Sequence, residues 1–365
     1  MSASYFGKAM SNDTNHIIYN DHWDDVKRRM LGYWSRESMD RCCAAIRVSK
    51  PGYTDFGEKN FYFDTELADR MHRKRFENTW YFGEALPCLF PYFGTAGIAE
   101  YTGCKPNRTP RTTWFEPWLD EPDASGISYS HAEAFEAQKR AIADLLKRSK
   151  GEYLVSVSDN AGILDALAAI RGTNELLVDM LSDPEFVEEG VQALLPIYKQ
   201  TEEELFDLVR ENNDGCVLSW MDLWAPSRMA QMQCDLSVMI SPEMYKRFVM
   251  PELEELCEFL DYPVYHFDGQ EQIRHLDMLL SLKKLRAIQW TPVAGQPKTS
   301  TFIEPLKRIQ KAGKNLILTP RLEEIEFLLS ELSSRGLILL IYGISSPHEA
   351  EDMLTFLQKH SKDRG

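Results

Sequence analysis

The chain has 365 residues, 44% of them hydrophobic, and a formal net charge of -15. That acidity argues against nucleic acid, whose binders present basic surfaces, and against an anionic membrane face. No apolar run reaches the ~18 residues that span a bilayer, and seven cysteines without a C-x-x-C pair suit reduced thiols in a cytoplasmic protein.

The opening Met1-Ser2-Ala3-Ser4-Tyr5 carries no apolar signal core. Residues 1–80 are polar and aromatic and read as an N-terminal helical and irregular extension, a cap, with an amphipathic helix over 21–36. A turn- and Pro-rich stretch lies between Gly103 and Gly126. Over 81–365 the pattern becomes short apolar runs separated by long helical ones. The expected strands are Leu86–Phe90, Tyr153–Val157, Cys216–Trp220, Leu236–Met239, Val264–Asp268, Arg286–Trp290, Asn315–Thr319 and Leu337–Tyr342. Helices are expected over 129–149, 161–181, 184–212, 242–261, 270–281, 300–312, 321–335 and 347–360. Ser241-Pro242-Glu243 and Ser346-Pro347-His348-Glu349 start helices with a serine cap, proline at the first position and an acid in the first turn. Such alternation predicts an α/β fold, a (β/α)8 TIM barrel, with an open doubly wound sheet as the rival.

A barrel keeps its chemistry at the carboxyl ends of its strands. Read there, the chain offers Asp159 and Asn160, then Trp220, Asp222 and Trp224, then Asp235, His266 and Asp268, and finally Gln289, Trp290 and Tyr342. Glu84, just before the first expected strand, is a further candidate acid. His266 and Asp268 are two apart on one strand, so both point to one face. An imidazole and a carboxylate placed there hold a metal, exchange a proton, or bind a polar substrate. No G-x-G-x-x-G, Walker or G-x-S-x-G sequence follows a strand, which leaves dinucleotide, P-loop and serine-hydrolase readings without support.

Three stretches resemble the uroporphyrinogen decarboxylase superfamily, in particular its branch of cobalamin-dependent methyltransferases. They are Gly32-Tyr33-Trp34 with Asp40-Arg41; Cys234-Asp235 through Ser241-Pro242-Glu243-Met244-Tyr245 with Phe248 and Pro251; and Tyr265-His266-Phe267-Asp268-Gly269 with Ala287-Ile288-Gln289-Trp290. The resemblance implies a (β/α)8 barrel and, for that branch, zinc held by a His-x-Cys pair and a later cysteine. Here His266 matches the histidine, but Asp268 stands at the cysteine, and Tyr342-Gly343-Ile344-Ser345 lacks the later one. A harder metal site of His266 and Asp268 is what survives of that expectation. Around Leu86–Gly97 there is no arginine to hold the carboxylates of a porphyrinogen. The expected function is therefore transfer of a methyl group between a small methylated substrate, such as a methyl ether or methylamine, and a corrinoid protein. Cobalamin would arrive on that separate partner. Asp235 and Glu84 join His266 and Asp268 as catalytic candidates, with the remaining rim residues lining the substrate pocket. A carboxy-lyase acting on a small anion, and a non-catalytic binding protein, are the alternatives. The aromatic N-terminal region offers surface for a homodimer.

Overall fold

The computed structural model describes residues 17–57, 59–160 and 162–364; the opening pentapeptide read for a signal core lies outside them. Its strands are β1 (Cys43–Ser49), β2 (Thr79–Gly83), β3 (Cys88–Leu89), a hairpin of β4 (Lys105–Arg108) and β5 (Thr113–Glu116), and β6 (Leu154–Val155). They continue with β7 (Cys216–Leu218), β8 (Leu223–Ala225), β9 (Met229–Met232), β10 (Tyr262–Asp268), β11 (Ala287–Thr291), β12 (Asn315–Leu318) and β13 (Leu337–Ile341). Seven of them form one sheet in the order β2-β1-β13-β12-β11-β10-β9. All of its pairings are parallel except β1 with β2. The strand Leu337–Ile341 is buried at every position, as expected of a parallel strand covered on both faces.

The expected helices form with small shifts. The longest, Pro184–Asn213, starts on an Asp183 side chain that accepts from the Phe186 amide. Ser241 and Ser346 cap their helices as expected. The span 161–181 breaks at Gly172 into Ile163–Arg171 and Thr173–Ser182.

Two expectations are corrected. Leu236–Met239 is no strand but part of a 3-10 turn over Asp235–Met239. The amides of Asp235 and Leu236 are taken by the Asp165 carboxylate at 2.9 and 3.0 Å, which removes them from any ladder. The true strand is β9, whose Met-Ala-Gln-Met sequence lacks β-branched residues. In addition β1, from the stretch assigned to the extension, is an interior strand of the main sheet between β2 and β13.

The fold is thus a mostly parallel α/β sheet wrapped by helices, of TIM-barrel-like kind, but among the described residues the backbone ladder does not close into a ring. Where it is interrupted, side chains satisfy the peptide groups. Between β6 and β7, Asn213 bonds both the N–H and the C=O of Val155, at 3.1 and 2.8 Å, and Ser156 donates to the Val217 carbonyl at 2.8 Å. Between β1 and β3, Arg47 donates to the Leu86 carbonyl at 3.0 Å, and Asp222 accepts from the Leu86 amide at 3.3 Å. Among the described residues, no helix is long and apolar enough to cross a membrane.

Candidate functional site

Strand alternation on β10 sends Tyr265 and Phe267 into the core at 0% exposure and leaves His266 and Asp268 partly open on the other face. Parallel pairing sets His266 beside Gln289, Phe267 beside Trp290 and Asp268 beside Thr291. Gln289 and Thr291 therefore share the His266 face. Gln289 Oε1 lies 2.7 Å from His266 Nδ1, and Thr291 Oγ1 lies 3.1 Å from the same nitrogen. An amide oxygen only accepts, so the Nδ1 proton points at Gln289 and the Nε2 lone pair is left for chemistry. Nε2 has no hydrogen-bond partner among the described residues. The Trp220 ring meets the imidazole edge-on, with centroids 5.1 Å apart.

A chain of polar side chains continues from β9. Gln231, in register with Val264, donates to Asp159 Oδ1 at 2.8 Å and to Gln233 Oε1 at 3.1 Å. Gln233 in turn reaches Asp235 Oδ2 at 3.4 Å. Asp235 is exposed at its surface, with protein packed around the rest of it. That desolvation raises its pKa, the His266 charge works against the rise, and the Asp268 charge adds to it. Asp165, which holds the Asp235 turn, is raised by burial and by the Asp235 charge. Asn160 donates to Glu202 Oε1 at 2.6 Å inside the wall. Burial pushes the Glu202 carboxyl up to about 8, the Asn160 bond lowering it only in part.

A cavity of about 570 Å³ opens between the ends of β1, β3, β7 and β13 and residues 53–57 and 59–62 of the N-terminal region. Trp220, Asp222 and Tyr342 line it. A small crevice behind it is lined by Asp159, Asn160, Glu202 and Gln231, and again by Trp220. Trp220 is thus a partition that touches the cavity, the crevice and His266. Asp222 is fully committed: Arg47 Nη1 donates to its Oδ2 at 2.7 Å, and Nη2 holds its Oδ1.

Three expected site residues are placed elsewhere. Glu84 sits at the amino-terminal end of β1, where it binds Arg29 Nε at 2.6 Å, Arg41 at 2.8 and 2.9 Å and the Ala44 amide at 2.6 Å. Trp290 follows the opposite face of its strand and stacks on Phe267 at 4.9 Å. Trp224 donates to the Asn213 carbonyl at 3.0 Å and packs edge-on against Trp23, because β8 runs back antiparallel to β7, away from the mouth. Sequence reasoning missed Arg47, Gln231, Asp165 and Glu202. A charge on the inward face of a long helix was the available signal for Glu202; Arg47 closes the apolar run Cys42–Ile46, which reads as a strand in retrospect.

A catalytic zinc centre takes three protein ligands. His266 and Asp268 supply two donors, and among the described residues no group of three or more His, Cys, Asp or Glu gathers as a metal site. The residues present therefore do not fit the zinc centre that the resemblance implies.

No protein-family model matches this chain, and no curated protein matches it. Among solved structures it is similar to a methyltransferase from Methanosarcina mazei, with a TM-score of 0.60 and 13% identity, covering 92% of this chain and 98% of that one. At that identity the likeness is one of fold, and it extends over nearly the whole of both chains.

Proposed function

We propose that this chain is a methyltransferase-like enzyme, related to the uroporphyrinogen decarboxylase superfamily, that moves a methyl group between a small methylated substrate and a corrinoid protein. The observation that carries the reading is His266, fixed through Nδ1 by Gln289 with Nε2 unpartnered, beside two carboxylates at a strand end. The fold shared with a methyltransferase supports it.

The chemistry required of the protein is brief. As the methyl group departs to its acceptor, the electron pair of the broken bond stays on the donor atom, which needs a proton. A proton taken up on the Nε2 lone pair of His266 is passed to that atom, leaving the neutral ring with its Nδ1 proton on Gln289; the reverse reaction takes it back. Gln289, bonded to Nδ1, keeps the ring from turning as the proton moves. The superfamily's zinc would polarise the donor instead, but the His266–Asp268 pair is better equipped for proton transfer than for holding that ion.

The test mixes purified protein with a panel of methyl donors and reduced cobalamin, and follows methyl transfer by the corrinoid spectrum. Transfer that His266→Ala abolishes and that proceeds in metal-depleted protein is the expected result. Stoichiometric zinc lost in His266→Ala would replace the proton-transfer role with metal binding. Transfer from no donor of the panel would end the reading.

A further inference from the structure

The cavity beside Trp220 is built from a distinctive mixture, and its charges discriminate between ligand classes. Aromatic rings recur around it, among them Tyr53, Phe61, Tyr62, Tyr81, Tyr92 and Trp220. Several ring faces already carry a cation of the protein's own. Arg75 lies 3.7 Å above Phe56, Lys59 5.9 Å above Phe61 and Arg47 6.0 Å above Tyr81. A cationic ligand such as a methylammonium would meet like charge where an aromatic cage needs open faces.

Two of these cations are neutralised in place. Arg47 is paired with Asp222, and Arg75 holds Asp55 through two bonds of 2.9 Å. Among the described lining residues, Lys59 is the cation without a carboxylate partner, and it stands exposed at the rim. One spare positive charge in a chain of net charge -15 selects a single anionic group. It is too little for a polycarboxylate. At about 570 Å³ the cavity falls within the range that encloses a small organic ligand.

We propose that this cavity binds an aromatic monocarboxylate, its carboxylate at Lys59 and its ring stacked inward among the tyrosines toward Trp220. The inference rests on the methyl-transfer reading for its last step only: the methyl group to be moved is then a ring substituent, pointing to Trp220, whose other edge meets His266.

Isothermal titration of the full-length protein tests binding without turnover. The probes are 4-methoxybenzoate, its neutral alcohol 4-methoxybenzyl alcohol, the aliphatic hexanoate and tetramethylammonium. At low salt 4-methoxybenzoate is expected to bind about tenfold more tightly than any of the other three. Lys59→Glu should weaken it by about tenfold and leave the neutral alcohol unchanged, and Lys59, being exposed, carries no part of the core. Tyr92→Ala should weaken both ring compounds. Hexanoate or tetramethylammonium binding as tightly as 4-methoxybenzoate overturns the proposal, as does the absence of any 4-methoxybenzoate binding. Binding of 4-methoxybenzoate with methyl transfer from no donor of the panel would sink the transfer reading and leave this one standing. Transfer from an aliphatic donor that 4-methoxybenzoate does not inhibit would do the reverse.

Discussion

Glu84 and Glu202 are both buried glutamates, one below the sheet and one in the wall of the mouth, and their surroundings are opposite. Glu84 is met by two guanidinium groups and a backbone amide, so its charge is fully answered. Glu202 is met by one neutral amide, from Asn160, and its carboxyl is pushed up to about 8. The first is a staple joining the helix Trp23–Ser35 to β1 and the turn after β2; the second is an acid kept near neutrality beside a crevice. Burial alone therefore does not set the state of a carboxyl in this protein. What separates the two is the cation that one has and the other lacks.

The largest test of that contrast is Glu84→Ala, which leaves the buried Arg41 guanidinium without its carboxylate and Arg29 with Asp40 alone. Urea unfolding should show a loss of about 3–5 kcal/mol, and a loss below about 1 would deny the staple its role. His266→Ala should lower methyl transfer by at least about 100-fold while leaving the unfolding midpoint near that of the parent. An equal loss in both would make His266 a packing residue.

Glu202→Gln sharpens the other side of the comparison. Its folded pKa lies above the ordinary 4.5, so the native state holds the proton more tightly than the unfolded chain. The stability this contributes is complete below about pH 4.5 and is lost as pH rises through about 8. Glutamine keeps the acceptor for Asn160 and has no charge to bury. The variant should match the parent at pH 5 and exceed it at pH 9 by roughly 1–3 kcal/mol. The same difference at both values would show that the acid is already compensated. The smallest effect belongs to Asp165→Asn. Asparagine has one side-chain oxygen where the carboxylate offers two to the Asp235 and Leu236 amides, so urea unfolding should show a loss of about 1 kcal/mol, and no loss would show that the turn is held by other contacts.

Much of this architecture is legible in the sequence. Continuous apolar runs such as Leu337–Ile341 identify buried parallel strands, and Ser-Pro-Glu helix starts locate their helices to within a few residues. Alternation along Val264–Asp268 correctly puts His266 and Asp268 on one face. What escapes is whatever depends on partners distant in sequence. The β9 strand has neither branched residues nor a clean period, and its identity as a strand comes from its pairing with β10. Trp220 and Trp224 look alike four residues apart, yet the αL turn at Asp222, with φ 50°, sends the chain back and parts them. The cavity wall of residues 53–57 and 59–62 carries no periodic signal, because its aromatic rings face a surface that the fold brings to them.

The seam between β6 and β7 has a further consequence. There the peptide groups of Val155 answer to an asparagine side chain instead of a neighbouring strand. Side-chain acceptors release more readily than a cooperative ladder, so amide exchange at Val155 should outpace that at Ile288 in the continuous part of the sheet. The wall of the mouth then yields first on the side of the crevice and Glu202, and the rigid side is the one that carries His266.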